Sequence, residues 1–129
     1  MTEFFIPMKS IPTVTHQQKQ VNFNTKQFYE PVELKEARAK FMSLLAKHVP
    51  TNPIKGPVRL TVKWLYPKTK NSLDGQYKAT KPDIDNIQKL LLDVMSDLGY
   101  WVNDSRIASM IVEKFYSDKV GIYVRIERL

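Results

Sequence analysis

The sequence predicts an α+β fold: a single domain over residues 1–129, with a mixed sheet of about four strands and two main helices packed on one face of it. Three observations carry this. Val58, Leu60, Val62, Trp64 and Tyr66 alternate with Arg59, Thr61, Lys63 and Leu65, the period of a half-buried strand. Val120, Ile122, Val124 and Ile126 repeat that period near the C-terminal end. Between and before them, two segments place apolar residues at helical spacing. The length of 129 residues suits one domain and is enough to bury a real core.

Taken in order, Thr2 to Ile6 reads as a first strand ended by Pro7. Residues 8–29 are polar and read as an extended loop, so that residues 1–30 form an arm, with a short strand over Val21–Asn24. Pro31 opens a helix at the position where its missing N–H costs nothing. Its apolar stripe is Leu34, Ala37, Phe41, Leu44, Leu45 and Val49, and Pro50 follows. After a Pro/Gly/Asn connection comes the strand 58–66, then a long loop over 67–82. Loops of that length in compact domains are functional or mobile. A second helix is expected from about Asp85 to Leu98, with Ile87, Leu90, Leu91, Val94, Met95 and Leu98 on one face and Gly99 at its stop. Arg106–Tyr116 reads as a strand, and a turn at Ser117-Asp118-Lys119 joins it to the last strand as a hairpin.

Composition narrows the chemistry. There is no cysteine, which excludes disulfides and thiolate-held metal clusters and suits a reducing cytoplasm. No stretch is apolar enough to span a bilayer, and the Phe4-Phe5-Ile6 run is too short for a signal peptide. Twenty Lys+Arg against 13 Asp+Glu leave a net charge of +7, a surplus that favours polyanions through phosphate neutralisation. The loop contributes Lys68, Lys70, Lys78 and Lys81, candidate contacts to a nucleic-acid backbone.

Inside this basic frame lies an acidic island. From Asp83 to Asp104 there are five Asp, and Lys89 is the only basic residue. Asp83 and Asp85 stand one residue apart at the start of the second helix, with Asp85 expected as its N-cap and Lys89 one turn inside. At about 100° per residue, Asp85 and Lys89 fall opposite the apolar stripe. Like charges gathered beside a phosphate site repel one another and the substrate unless a cation lies between them. Hard carboxylate oxygens suit Mg²⁺, which keeps waters and substrate phosphate oxygens as its other ligands. Asp-x-Asp alone is a weak motif, and Asp85 with Lys89 is equally an ordinary ion pair on a solvated helix face. A calcium loop of the EF-hand type is excluded, since its sixth position would be Gln88 and its twelfth Val94. Asp104 supplies a third carboxylate. The helix 85–98 is about 20 Å long, and the extended residues 99–104 cover roughly that distance. A return within one chain therefore brings Asp104 to Asp83 and Asp85; the other arrangement is service to a neighbouring subunit. Trp101 is expected to anchor the loop that carries Asp104, and Trp64 and Tyr66 to lie in the core. His16 and His48 are assigned no ligand role.

The run Lys81-Pro82-Asp83-x-Asp85-Asn86-x-Gln88-Lys89, a helix, then Gly99-Tyr100-Trp101-x-x-Asp104 with Arg106-Ile107, resembles the RusA family of Holliday junction resolvases. The likeness is specific from about residue 58 to 116 and loose over the N-terminal third. It implies that Asp83, Asp85 and Asp104 are catalytic, metal-binding carboxylates and that Lys89 is an essential lysine. Asn103 departs from members with a second Asp beside the catalytic one. The resemblance also implies Mg²⁺, with Mn²⁺ as a substitute, a homodimer, and paired nicks across a four-way DNA junction leaving 5′-phosphates, in a bacterial or phage-encoded protein of the cytoplasm. A two-fold dimer suits a two-fold substrate. Two other readings stay open at this point: a metal nuclease with broader taste for branched DNA, and a non-catalytic basic DNA-binding module.

Overall fold

The structure, a computed structural model, describes residues 1–12, 20–22, 27–29 and 32–129. Its elements are β1 (Thr2–Pro7), β2 (Gln20–Asn22), β3 (Gln27–Tyr29), α1 (Val32–Leu45), β4 (Val58–Pro67), α2 (Ile84–Leu98), β5 (Ile107–Ser117) and β6 (Gly121–Arg128). Pro31, and residues 13–19 (with His16), 23–26 and 30 of the expected arm, lie outside the described residues; β2 and β3 pair antiparallel as a small ribbon of their own.

The main sheet has the order β1-β6-β4-β5. β4 is central, as its alternation implies. Val58, Leu60, Val62, Trp64 and Tyr66 are all buried, and the residues between them are half-buried. Both helices cover the same face. Phe41 of α1 meets the Trp64 ring at 6.1 Å, and the Trp64 indole N–H donates to Gln88 Oε1 of α2 at 3.0 Å. The four-stranded mixed sheet with two helices on one face is thus the expected α+β arrangement.

The expected hairpin is not formed. β5 pairs with β4 in parallel, β6 pairs with β4 antiparallel, and β4 lies between them. Two strand spacings amount to about 10 Å, which the three residues 118–120 can span when extended at roughly 3.3 Å each. A short connection therefore reaches across one intervening strand as readily as it turns back. Where β6 meets β1, Gly121 permits the close approach: a Cβ there would stand 2.2 Å from the Ile6 carbonyl oxygen.

Tyr100 is bonded to the end of each helix. α1 closes in a 3-10 turn over Ala46–His48 instead of running on to Val49, and the Tyr100 hydroxyl donates to the Leu45 carbonyl at 2.5 Å. α2 ends in a left-handed Gly99, whose N–H reaches Ser96 O while the Tyr100 N–H reaches Met95 O. Burial pushes the phenols of Tyr66 and Tyr100 well above their ordinary value. Tyr100 has its partner; the buried Tyr66 hydroxyl has none among the described residues.

These two tyrosines give opposite expectations. Tyr100→Phe removes a made hydrogen bond and lowers stability by about 1 kcal/mol, whereas Tyr66→Phe removes only an unpartnered hydroxyl and is neutral or stabilising by up to ~1 kcal/mol; denaturant unfolding of both variants checks this. Raised folded-state phenol values also mean that stability is fully present below pH 10. It is lost above that point, because the unfolded chain ionises there and the folded chain does not. Melting temperatures between pH 8 and 12 test that sign.

Candidate active site

The long loop between β4 and α2 is tied along the edge of β5. The Gly75 N–H donates to Tyr116 O at 2.8 Å, the Tyr116 N–H to Gln76 O at 2.8 Å, and the Lys78 N–H to Lys114 O at 2.9 Å. The Tyr77 ring stacks on Phe115 at 4.7 Å, and its hydroxyl donates to Glu113 at 2.9 Å. Lys68 pairs with Asp118 at 2.7 Å, and the Asp118 N–H donates to Asp74 at 2.8 Å.

The loop delivers Asp83 to the N-cap of α2. Its backbone is extended (φ −65°, ψ 137°) and its carbonyl accepts from the Ile87 N–H at 3.2 Å, while its carboxylate makes no capping bond. The helix starts earlier than the periodicity suggests, so Asp83 and not Asp85 is the cap, and Asp85 falls in the first turn. Just upstream, Pro82 is buried, and the chain enters the helix directly after Asp83. Both carboxylates are exposed beside the positive end of the helix dipole, as is Lys89 one turn on. The ion pair between Asp85 and Lys89 that their spacing allows is not made. No hydrogen bond or ion pair with a described residue occupies the Asp83, Asp85 or Lys89 side chain. By contrast, Glu3, Asp74, Glu113, Asp118 and Glu127 on the sheet and its loops are all engaged.

Behind Asp83 stands a group of cations and phenols. Lys114 of β5, in register with Trp64 of β4, donates to Thr80 O at 2.6 Å and to Pro82 O at 2.7 Å. Lys78 donates to Thr80 Oγ1 at 2.6 Å and lies over the rings of Tyr66 and Tyr116, 5.2 Å and 5.0 Å from their centroids. Partial burial, then the neighbouring Lys78 charge, pull the Lys114 ammonium below its ordinary value, and Asp83 opposes them. The Thr80 hydroxyl bonded to it, with the Lys78 and Lys114 charges, draws the Tyr116 phenol down.

Asp104 is placed differently from the expectation. Trp101 does anchor its loop: it is buried, bridges to Ile54, and its indole N–H donates to Ser96 at 2.9 Å. Asp104 opens a 3-10 turn capped by the Asn103 side chain, which accepts from the Ser105 N–H at 2.9 Å. That turn leads straight into Ile107, opposite Val58 at the start of β4. Asp83 lies beside Lys114, seven residues further along β5. Since β4 and β5 are parallel, the two positions are about 20 Å apart along the strand. Among the described residues no three His, Cys, Asp or Glu side chains come together to hold a metal. The return of Asp104 to Asp83 within one chain is therefore corrected: the loop spends its length on the bridge to Ile54 and on the 3-10 turn.

Comparison with known proteins decides the class. A family model described as Endodeoxyribonuclease RusA matches residues 10–127. The chain belongs to the RusA family. An uncharacterized protein of Bacillus subtilis (strain 168), YqaN, is 32% identical over 111 residues, 78% of either chain. A crossover junction endodeoxyribonuclease, rusA, of Lactococcus phage r1t is 33% identical over 70 residues, about half of each chain. The family suggested by the Asp83–Arg106 pattern is the family found, and as a RusA endodeoxyribonuclease the chain is an enzyme that cuts DNA.

In this RusA chain the four loop lysines are not equivalent. Lys68 is held by Asp118, Lys78 is fixed over two tyrosines, and Lys70 and Lys81 are exposed. Periodicity gave no sign of Lys114, Thr80 or Tyr116, because their roles arise only when β5 runs beside the loop. Gln88 carries a weak signal: it is a polar residue on the flank of the apolar stripe, and it is 3% exposed. Gln88→Leu leaves the Trp64 indole N–H unpaired in the core and is expected to cost about 1–3 kcal/mol, read by thermal unfolding.

Proposed function

We propose that the chain resolves four-way DNA junctions by divalent-metal-dependent phosphodiester hydrolysis, as a two-fold dimer. The observation that carries this is the pair Asp83 and Asp85: two exposed carboxylates, one residue apart at a helix N-terminus and without a hydrogen bond or ion pair among the described residues, in a family of DNA-cutting enzymes and a chain of charge +7. Their hard oxygens fit Mg²⁺ or Mn²⁺, which takes one or two carboxylates and leaves positions to water and phosphate. When bound, such an ion supplies a water of lowered pKa and neutralises phosphate charge. The residues do the rest. Asp83 and Asp85 hold the ion, Lys89 faces the phosphoryl group as negative charge builds on it, and Lys70, Lys78 and Lys81 grip flanking phosphates. The substrate class follows the phage relative's name and the symmetry of a four-way junction. The same reading puts the protein in the cytoplasm of a bacterium, with a phage or prophage as its source.

The third carboxylate is assigned to a second copy. The outer edge of β5 from Ala108 to Val112 has no backbone partner among the described residues, and Met110 and Ile111 on it are 47% and 45% exposed. Such an edge invites another strand. Antiparallel pairing of the free edge of β5 with its own copy about Met110 carries the Asp104 turn of one copy toward the far end of the other copy's β5, the end where Asp83 lies. One two-fold axis thus supports both the dimer and two complete sites.

The test is a panel of synthetic four-way junction, fork, flap and single strand, with and without Mg²⁺. Expected are paired, religatable nicks in the junction only, with roughly 10²-fold losses for Asp83→Asn and Lys89→Ala and junction binding retained. Cleavage by Asp83→Asn at the wild-type rate sinks the proposal; binding without cleavage in any metal leaves a DNA-binding module, and cutting of every branched substrate leaves a broader nuclease. Mixing inactive Asp83→Asn with inactive Asp104→Asn restores nicking if the sites are shared, because each mixed dimer keeps one intact site; no recovery means the acids act in one chain. Among the lysines, Lys78→Gln and Lys81→Gln each reduce the salt slope of binding by about 0.9, while Lys68→Gln changes it less, since Asp118 already neutralises that charge.

A further inference from the structure

Lys114 makes an unusual choice of partners. It stands on an edge strand, where a lysine ordinarily extends into solvent or pairs with a carboxylate. Instead its ammonium donates to two main-chain carbonyls, Thr80 O at 2.6 Å and Pro82 O at 2.7 Å, and is partly buried beside a second ammonium, that of Lys78. Both burial and like charge oppose this placement, so the two bonds must hold something worth holding. The acceptors are the carbonyls that flank Lys81, in the last three residues before Asp83. They are backbone atoms, so the tie acts on the path of the chain whatever side chains stand at 80–82. The tie also comes from a different element: β5 reaches across to the loop just before α2 begins. Thr80 is gripped a second time, its hydroxyl taking the Lys78 ammonium and touching the Tyr116 hydroxyl at 3.2 Å.

We infer that Lys114 is a positioning residue for the carboxylate pair: by clamping the carbonyls of Thr80 and Pro82 it holds Asp83 at the helix terminus, two positions before Asp85, with its carboxylate free of any capping bond. This rests on the reading that Asp83 and Asp85 hold a divalent cation. Lys114 does not touch the reacting phosphate in this role. A plain loop anchor would also make these bonds, but it would leave the affinity for the cation unchanged, and that difference is measurable.

Two variants, Lys114→Met and Lys114→Arg, are compared with the wild type in three measurements: hydrogen exchange of the peptide 79–88, calorimetric binding of Mn²⁺ without DNA, and junction cleavage across Mn²⁺ concentrations. Lys114→Met is expected to exchange faster over 79–88 alone, with β4 and β6 unchanged. It should bind Mn²⁺ about tenfold more weakly, the worth of one charge-assisted hydrogen bond, and recover cleavage as Mn²⁺ is raised. Lys114→Arg, which keeps the donors, should restore most of the protection and affinity. Should Lys114→Met fold poorly by circular dichroism, Lys114→Gln serves the same comparison. Unchanged exchange overturns the inference; so does faster exchange with unchanged Mn²⁺ affinity, which leaves a loop anchor only. Failure of the underlying reading shows separately, in proteins with Lys114 intact: Asp83→Asn and the wild type then bind Mn²⁺ alike, and both the metal site and this inference fall.

Discussion

Parallel pairing between β4 and β5 constrains everything near the candidate site. Parallel neighbours cannot be joined by a tight turn; the chain must travel back along the sheet before starting the second strand. α2 makes that return journey, and its apolar face, Ile87, Leu90, Leu91, Val94 and Met95, is what lets it lie on the sheet while doing so. The N-terminus of α2 consequently stands at the finishing end of both strands, and whatever precedes β5 stands at the starting end. Asp83 and Asp85 belong to the first place and Asp104 to the second. The separation of these acids in one chain is thus a property of the topology rather than of any loop conformation.

Electrostatics then acts on that frame. The acids of the sheet and its loops are neutralised by nearby cations or hydroxyls, for instance Asp118 by Lys68 and Glu127 by Arg125. Asp83 and Asp85 are left to the helix dipole and to the Lys114 ammonium behind them. Two carboxylates so placed retain most of their lone pairs for an outside partner. A cation close to Asp83 that is already spent on two carbonyls offsets their mutual repulsion without occupying the oxygens themselves.

Much of this was legible in the residues. The alternation in β4 reports burial on one face directly, and the stripe of α2 reports its packing, because each depends on local spacing alone. The Asp83–Lys89 and Trp101–Asp104 patterns were enough to suggest the family. What escaped was anything set by strand order. The segments of β5 and β6 read individually as strands, yet nothing in either says that β4 lies between them. The role of Lys114 escaped for the same reason, since its partners at 80 and 82 become neighbours only through the register of β5 beside the loop. Two Asp residues precede the apolar run, so spacing alone does not say which one caps the helix; in the fold it is Asp83, and Asp85 lies in the first turn.

Both tryptophans of the chain are bonded to α2, one near each end: Trp64 to Gln88 and Trp101 to Ser96. Each indole therefore senses the seating of that helix through a bond to a single side chain. Emission from the two rings forms a built-in optical gauge, one lamp close to the acidic pair and one at the opposite terminus. A tilt of the helix would alter the two signals unequally, whereas a uniform lift from the sheet would quench or shift them together.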